Sequence, residues 1–171
     1  MPDYRVSLAA PADTEAIYAL LAAAGEMLAE QGFANWTPPF PRERIAADIA
    51  LHAVWVVRDA DGALVATYAL REAPVRPYDP APWSEPAAPA RYLNRLAVDR
   101  LRHGRSIGRW CLDHIAAGCA REGVRAIRCD VLAANERLCR FYEGAGYVAR
   151  GSRQHSGWEF TCYEKMLGAR C

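Results

Sequence analysis

The sequence predicts an α/β protein of the α+β type, one mixed sheet with helices on its faces, in a single domain spanning residues 1–171. Three observations predict it. Two runs rich in Val and aromatic residues meet at Asp59-Ala-Asp-Gly62, a turn signal between strands. Runs of strand and helix character then alternate from Tyr92 to Met166. Hydrophobic residues make up 52% of the 171 and charged ones 24%, which suits one sizeable core in a globular chain.

The elements follow in order. Arg5 to Leu8 reads as a short strand. Pro11-Ala-Asp-Thr-Glu opens a helix with Asp13 or Thr14 as cap, and Ile17, Leu20, Leu21 and Ala24 keep helical spacing. Gly25, and then Gly32-Phe33, break or bend it, and Thr37-Pro-Pro-Phe-Pro is loop, because Pro disfavours helix in the residue before it. Pro41 to Leu51 is a second short helix facing inward through Ile45 and Ile49. Ala53 to Val57 and Ala63 to Arg71 form the hairpin. Ala73 to Ala90 holds six prolines and no periodicity, so it is either a linker or an ordered lid; Tyr78 and Trp83 favour order. Tyr92 to Val98 is the next strand. A helix from Ser106 to Glu122 aligns Gly108, Cys111, Leu112, Ile115 and Cys119 on one face and ends at Gly123. Val124 to Leu132 is a strand with Ile127, Cys129 and Val131 alternating against Arg128 and Asp130. Asn135 to Gly144 is a short helix, and Gly146-Tyr147-Val148 and Trp158 to Met166 complete the sheet.

Several classes drop out. The net charge of +1 argues against a dedicated nucleic-acid binder. No run approaches the roughly 18 apolar residues of a membrane span, and the start M-P-D-Y-R-V-S-L carries no secretory pattern. Six cysteines, at 111, 119, 129, 139, 162 and 171, form no C-x-x-C and no zinc spacing, and His52, His114 and His155 add no metal pattern. Reduced thiols in a cytoplasmic protein without metal are expected. Cys171, at the chain end, is a candidate reactive thiol to which nothing in the sequence gives a role.

The stretch Val98 to Gly108, V-D-R-L-R-H-G-R-S-I-G, carries the most chemistry. A strand, a loop with Gly104 and Gly108, four arginines between Arg100 and Arg109, and then a helix build an anion cradle. Loop N–H groups and the positive helix end converge where a pyrophosphate could sit. It is not a Walker loop, because no G-K-[ST] follows, and G-x-G-x-x-G is absent.

His103-Gly104-Arg105-Ser106-Ile107-Gly108 resembles the acyl-CoA-binding loop of the GNAT superfamily of N-acetyltransferases, whose pattern is (Q/R)-x-x-G-x-(G/A). His103 replaces Gln or Arg, and Ser106 replaces the middle Gly; the Ser106 N–H can still donate if its φ is negative. Arg102 and Arg105 could supply the side-chain phosphate contact. Val131-Leu-Ala-Ala-Asn135-Glu-Arg-Leu-Cys-Arg-Phe-Tyr142-Glu-Gly-Ala-Gly146-Tyr147 is similar to the family's strand followed by N-x-x-(apolar)-x-x-(F/L)-Y-E-x-x-G-(F/Y). The resemblance covers residues 53–166 well and 1–52 in layout, and Ala66 stands where many members have Gly.

The resemblance implies a mostly antiparallel central sheet of six to seven strands whose fourth and fifth members splay around the pantetheine of acetyl-CoA. It implies cofactor contacts at Leu96, Ala97, Val98, His103, Gly104, Arg105, Ser106, Ile107, Gly108, Arg109, Asn135 and Tyr142. Those of Leu96, Ala97 and Val98 are made by backbone, and an N–H there could polarise the acetyl carbonyl. Asn135 would hold the pantetheine arm or cap its own helix. Tyr142 would be the general acid at the sulfur, a phenol of pKa about 10. An alkyl ammonium must lose a proton before it attacks. The strand Tyr92 to Val98 carries no Glu, so the base is either Glu72, at the end of the preceding strand, or a water held by backbone carbonyls; Glu26 and Glu85 are weaker candidates. Trp36 and Trp83, with Tyr78 and Trp158, would shape the acceptor pocket or anchor the core. The expected activity is transfer of acetyl to a small-molecule primary amine. Its alternatives are a peptide or protein amine acceptor and a non-catalytic acyl-CoA sensor. The family's habit makes a homodimer the expected partner.

Overall fold

The computed structural model of the protein describes residues 3–168, so Cys171 lies outside the described residues. Seven strands, β1 (Arg5–Leu8), β2 (Val54–Arg58), β3 (Leu64–Arg71), β4 (Ala90–Val98), β5 (Ala126–Leu132), β6 (Val148–His155) and β7 (Trp158–Met166), follow the sheet order β1-β2-β3-β4-β5-β7-β6. β4 and β5 run parallel, whereas the ladders β1–β2, β2–β3, β5–β7 and β6–β7 are antiparallel. Four helices accompany them: α1 (Thr14–Glu30), α2 (Arg42–Ala50), α3 (Ile107–Arg121) and α4 (Glu136–Gly144). Internal contacts group the chain into two compact units, Met1–Leu70 with Arg95–Gly108 and Arg71–Asn94 with Arg109–Cys171.

The first unit is built on an apolar cluster. Ile17, Leu20, Leu21 and Ala24 of α1 meet Ile45 and Ile49 of α2, Val54 and Val56 of β2, and Ala97 of β4. Helix α1 passes straight through Gly25 to Glu30, so Gly25 is not the break its sequence suggests. A Cβ there would meet the carbonyl oxygen of Trp36 at 2.8 Å, so the missing side chain is what admits the loop. The helix ends instead at Gly32, whose φ is +90°. Neither expected cap works as one. Asp13 accepts the Ala10 N–H at 2.8 Å and pairs with Arg58 at 2.6 Å, while the Thr14 hydroxyl donates to the Pro11 carbonyl.

The second unit packs Cys111, Leu112, Ile115 and Cys119 of α3 and Tyr142 of α4 as buried residues beside β5 and β7. Of the run Gly146 to Val148 only Val148 is strand, and it opens the eight-residue β6, joined to β7 by Ser156-Gly157, both with positive φ. That is the turn geometry that right-twisted hairpins favour. A register shift between Ala149 and Gly151 makes Arg150 the extra residue of the ladder and turns its guanidinium onto Glu164 at 3.2 Å.

The alternation read along β5 is also only half right. Arg128, expected on a polar face, is 1% exposed. The residues between β3 and β4 cover that face. Trp83 lies under the Arg128 guanidinium, the Glu85 carbonyl accepts from Arg128 at 2.7 Å, and Ser84 donates its N–H to Glu164 at 3.0 Å. The segment from residue 72 to 89 is therefore ordered without being helix or strand, held by a buried ion pair between Arg128 and Glu164 at 3.1 Å.

Candidate functional site

In the first unit, Asp99 accepts the Leu101 N–H at 3.1 Å and closes a short 3-10 turn at Arg100–Arg102. The chain then passes through Gly104 (φ +81°) and Ser106 (φ +57°) into α3. The positive φ of Ser106 overturns the condition set from the sequence. The backbone keeps the left-handed turn that glycine takes freely, and the serine bears it as strain. Helices α1, α2 and α4 each hold a glutamate in the first turn, whereas α3 holds no acid there. Its positive end is left for an anion from outside.

The four arginines are not equivalent. Arg102 is held by Asp59 at 2.6 Å and Asp99 at 3.7 Å, so the phosphate contact expected of it is occupied by the chain's own carboxylates. Arg100 reaches Glu30 at 3.8 Å. Arg109 pairs with Asp113 at 3.2 Å and donates to the Gly144 carbonyl at 2.7 Å, tying the start of α3 to the end of α4. Arg105 is exposed and meets no carboxylate among the described residues. His103 holds the loop to β4 through Nε2, 3.2 Å from the Val98 carbonyl oxygen.

Upstream of the loop, Ala97 is buried while Leu96 and Val98 are half-buried. Arg95 has a φ of +52°, a left-handed residue inside a strand that no sequence pattern announces. Its guanidinium pairs with Asp48 of α2 and lies 5.1 Å from the Phe40 ring. Trp36 packs edge-on against Phe40, 5.6 Å between centroids, on the rim of the first core.

In the second unit, Asn135 caps α4 through Oδ1, which accepts the Leu138 N–H at 3.1 Å. Two turns further on, Tyr142 is buried in an aromatic cluster, 5.3 Å from the Tyr147 ring and stacked 6.3 Å from that of Tyr163. Burial first, and then the neighbours Cys129, Asp130 and Cys111, push its hydroxyl well above the ordinary phenol range. Glu72 is exposed at the end of the segment and 3.3 Å from Arg91. Trp83 is 6% exposed and acts as an anchor.

The ladder between β4 and β5 covers only Ala90–Tyr92 with Ala126–Arg128. Asp130 stands two residues beyond its end. Arg153 of β6 grips one Asp130 oxygen, with Nε at 2.8 Å and a terminal nitrogen at 2.6 Å, and lies 3.8 Å above the Tyr78 ring. No sequence pattern sets Asp130 apart: it is one acid on the alternate face of a strand whose other face is core.

The first unit offers a glycine-containing loop leading to a helix start without a first-turn acid, and the second offers a short parallel ladder and a buried phenol. The Acetyltransferase (GNAT) family profile matches residues 21–147. A GNAT acetyltransferase structure from Listeria monocytogenes 4b F2365 is similar at 26% identity and TM-score 0.79, covering 96% of this chain and 95% of that one. One from Streptococcus agalactiae 2603 superposes with TM-score 0.85 at 22% identity, with 96% of each chain covered. The yncA protein of Salmonella typhimurium, solved with its cofactor acetyl-CoA, shares the fold at TM-score 0.71 and 15% identity over 99% of this chain and 96% of that one. Comparison with the curated proteins returned no match. The profile covers most of the chain and spans both the loop that leads into α3 and the Asn135–Tyr142 helix: the chain belongs to the GNAT family of acetyltransferases.

Proposed function

We propose that the protein transfers the acetyl group of acetyl-CoA to the primary amine of a small molecule, by direct attack of the amine on the thioester. One observation carries the donor assignment. The start of α3 is the one helix N-terminus among the described helices without an acid in its first turn, and the left-handed residues Gly104 and Ser106 precede it. The N–H groups of Gly104, Arg105, Ile107, Gly108 and Arg109 and the uncommitted Arg105 guanidinium suit a pyrophosphate, whereas Ser106 does not meet the condition set for its N–H and His103 spends its own on the Arg100 carbonyl. Backbone groups of Leu96, Ala97 and Val98 take the pantetheine as an added strand, and one N–H among them polarises the acetyl carbonyl. Asn135, which uses Oδ1 for its cap, keeps its amide N–H groups for the same arm.

Tyr142 gives its proton to the departing sulfur. The raised pKa suits a donor that must stay protonated at every working pH. Glu72, exposed and beside Arg91, relays the proton lost by the ammonium to solvent. The tied-down segment from 72 to 89 supports a small acceptor over a peptide, because an open groove would need that segment retracted. Trp83, through the segment it anchors, is assigned to the acceptor side, and Trp36, packed on Phe40 in the loop after α1, is a separate candidate for acceptor contact.

The test is isothermal titration with acetyl-CoA and with free CoA, for wild type and Gly108→Trp, followed by an amine screen. Saturable binding by wild type that the bulky residue abolishes is expected. No binding by wild type would end the reading, and binding without turnover of any amine would favour an acyl-CoA sensor.

A further inference from the structure

We propose that Asp130 is the acceptor-binding carboxylate of this enzyme: it takes the ammonium of a cationic primary amine and receives its proton, with Arg153 as the positioning residue. This rests on the transferase reading above and names its acceptor class.

Four observations carry it. Asp130 sits just past the end of the three-residue β4–β5 ladder, where β5 continues without β4 residues in register. Its side chain is 14% exposed, so it is neither a surface acid nor a sealed one. Arg153 holds only Oδ2, which leaves Oδ1 to face an incoming group. Arg153 is itself fixed, lying over Tyr78 and donating to the Arg76 carbonyl at 3.5 Å. On the neighbouring strand Cys162 is the register partner of Asp130. The ring of Tyr163, partner of Cys129, stacks on Tyr142. Asp130 and the proposed acid thus flank the same two-residue stretch of β5, and the field of Asp130 is felt at the Tyr142 hydroxyl.

The step balances. The ammonium passes one proton to the Asp130 carboxylate, directly or through one water. The freed nitrogen lone pair attacks the thioester carbon, the C–N bond forms, and the C–S bond breaks. Sulfur leaves with the Tyr142 proton, Tyr142 is reprotonated by the proton shed from the new amide nitrogen, and Asp130 releases its own to water. Arg153 from β6 contacts Asp130, Tyr78 of the covering segment lies under Arg153, and Cys162 of β7 is the register partner of Asp130, while His155 of β6 and Tyr142 of α4 feel its charge and the adjacent Cys129 points to the opposite face of β5.

The experiment compares wild type, Asp130→Asn, Asp130→Glu and Arg153→Gln with acetyl-CoA and two acceptor sets. Primary alkylamines are cationic at pH 7, and arylamines are already neutral there. For Asp130→Asn, kcat/KM for alkylamines is expected to fall about 100-fold, with arylamines within about threefold. The deficit should shrink as pH climbs toward the alkylamine pKa of about 10, because the neutral fraction rises roughly tenfold per pH unit. Asp130→Glu should restore alkylamine turnover to within about tenfold, and Arg153→Gln should raise KM more than it lowers kcat. Acetyl-CoA affinity should stay within about threefold throughout. An equal fall for both acceptor sets, or no fall, overturns the proposal while leaving the transferase reading intact. A wild type that fails to bind acetyl-CoA overturns both.

Discussion

Ser106 and Tyr142 each hold a conformation or an environment that an average residue of their type avoids. Left-handed backbone costs a non-glycine residue about 1–2 kcal/mol, and glycine gives back about 0.4–1 kcal/mol through unfolded-chain entropy. Ser106→Gly is therefore expected to stabilise the protein by roughly 0.5 kcal/mol, and Ser106→Ala is not, as chemical denaturation would show. That the serine persists under strain fits a loop selected for where its N–H groups point. For Tyr142 the sign of the shift sets the pH profile. The donor is active while protonated, and burial moves the loss of its proton upward, so kcat should not fall between pH 7 and about 10. Tyr142→Phe should lower kcat about 100- to 1000-fold with little change in acetyl-CoA affinity. A falling alkaline limb in wild type below pH 9, absent from the variant, would contradict the environment described.

The covering segment from 72 to 89 behaves as an element although it has no regular backbone. Its order comes from side chains: Trp83 and Tyr78 below the guanidinium groups of Arg128 and Arg153, and Ser84 on Glu164. Burial raises the Glu164 carboxyl, but two donors from Ser84 and the Arg128 guanidinium outweigh it and hold the group below the usual carboxylate range. A lowered folded-state pKa means stability that is complete above the unfolded value of about 4.5 and is lost as pH falls through the folded one. Glu164→Gln should flatten the acid limb of the stability curve. It should also cost about 3–5 kcal/mol at pH 7, because it leaves Arg128 buried without its charge partner. Thermal melts from pH 7 to 3 measure both. Tyr78 and Trp83 pointed to an ordered segment, but six prolines and no period do not say which charges it packs on. The helices and the hairpin were legible, since their apolar spacing is itself the burial pattern. Long-range charge pairs leave no such trace, which is why Arg128 and Asp130 read as a wetted face although Arg128 pairs with Glu164 and Asp130 with Arg153.

Across the whole chain, charge is carried by guanidinium groups. Of the 21 basic residues, Lys165 is the one lysine, and 21 − 1 leaves 20 arginines against 20 acids. A sequence-level view of Arg100 to Arg109 suggests a basic stripe, and the motif match to an anion-binding loop was readable from its glycines and spacing. What the sequence hid is how that stripe is neutralised. Glu30, Asp59, Asp99 and Asp113 answer three of its four arginines, which leaves one strong positive point at Arg105 beside a helix end. A single point suits a pyrophosphate and does not suit a polyanion, whose binding grows with the number of phosphates neutralised and weakens steeply with salt. Duplex DNA should therefore be retained at most about fourfold more strongly at 50 mM than at about 200 mM salt, a log–log slope of about 1 or less in magnitude. Arg105→Ala should weaken acetyl-CoA binding about tenfold, as expected for loss of one charge-assisted phosphate contact. A steep salt slope with acetyl-CoA binding unaffected by Arg105→Ala would reverse the assignment, making the loop a nucleic-acid contact and moving the pyrophosphate elsewhere.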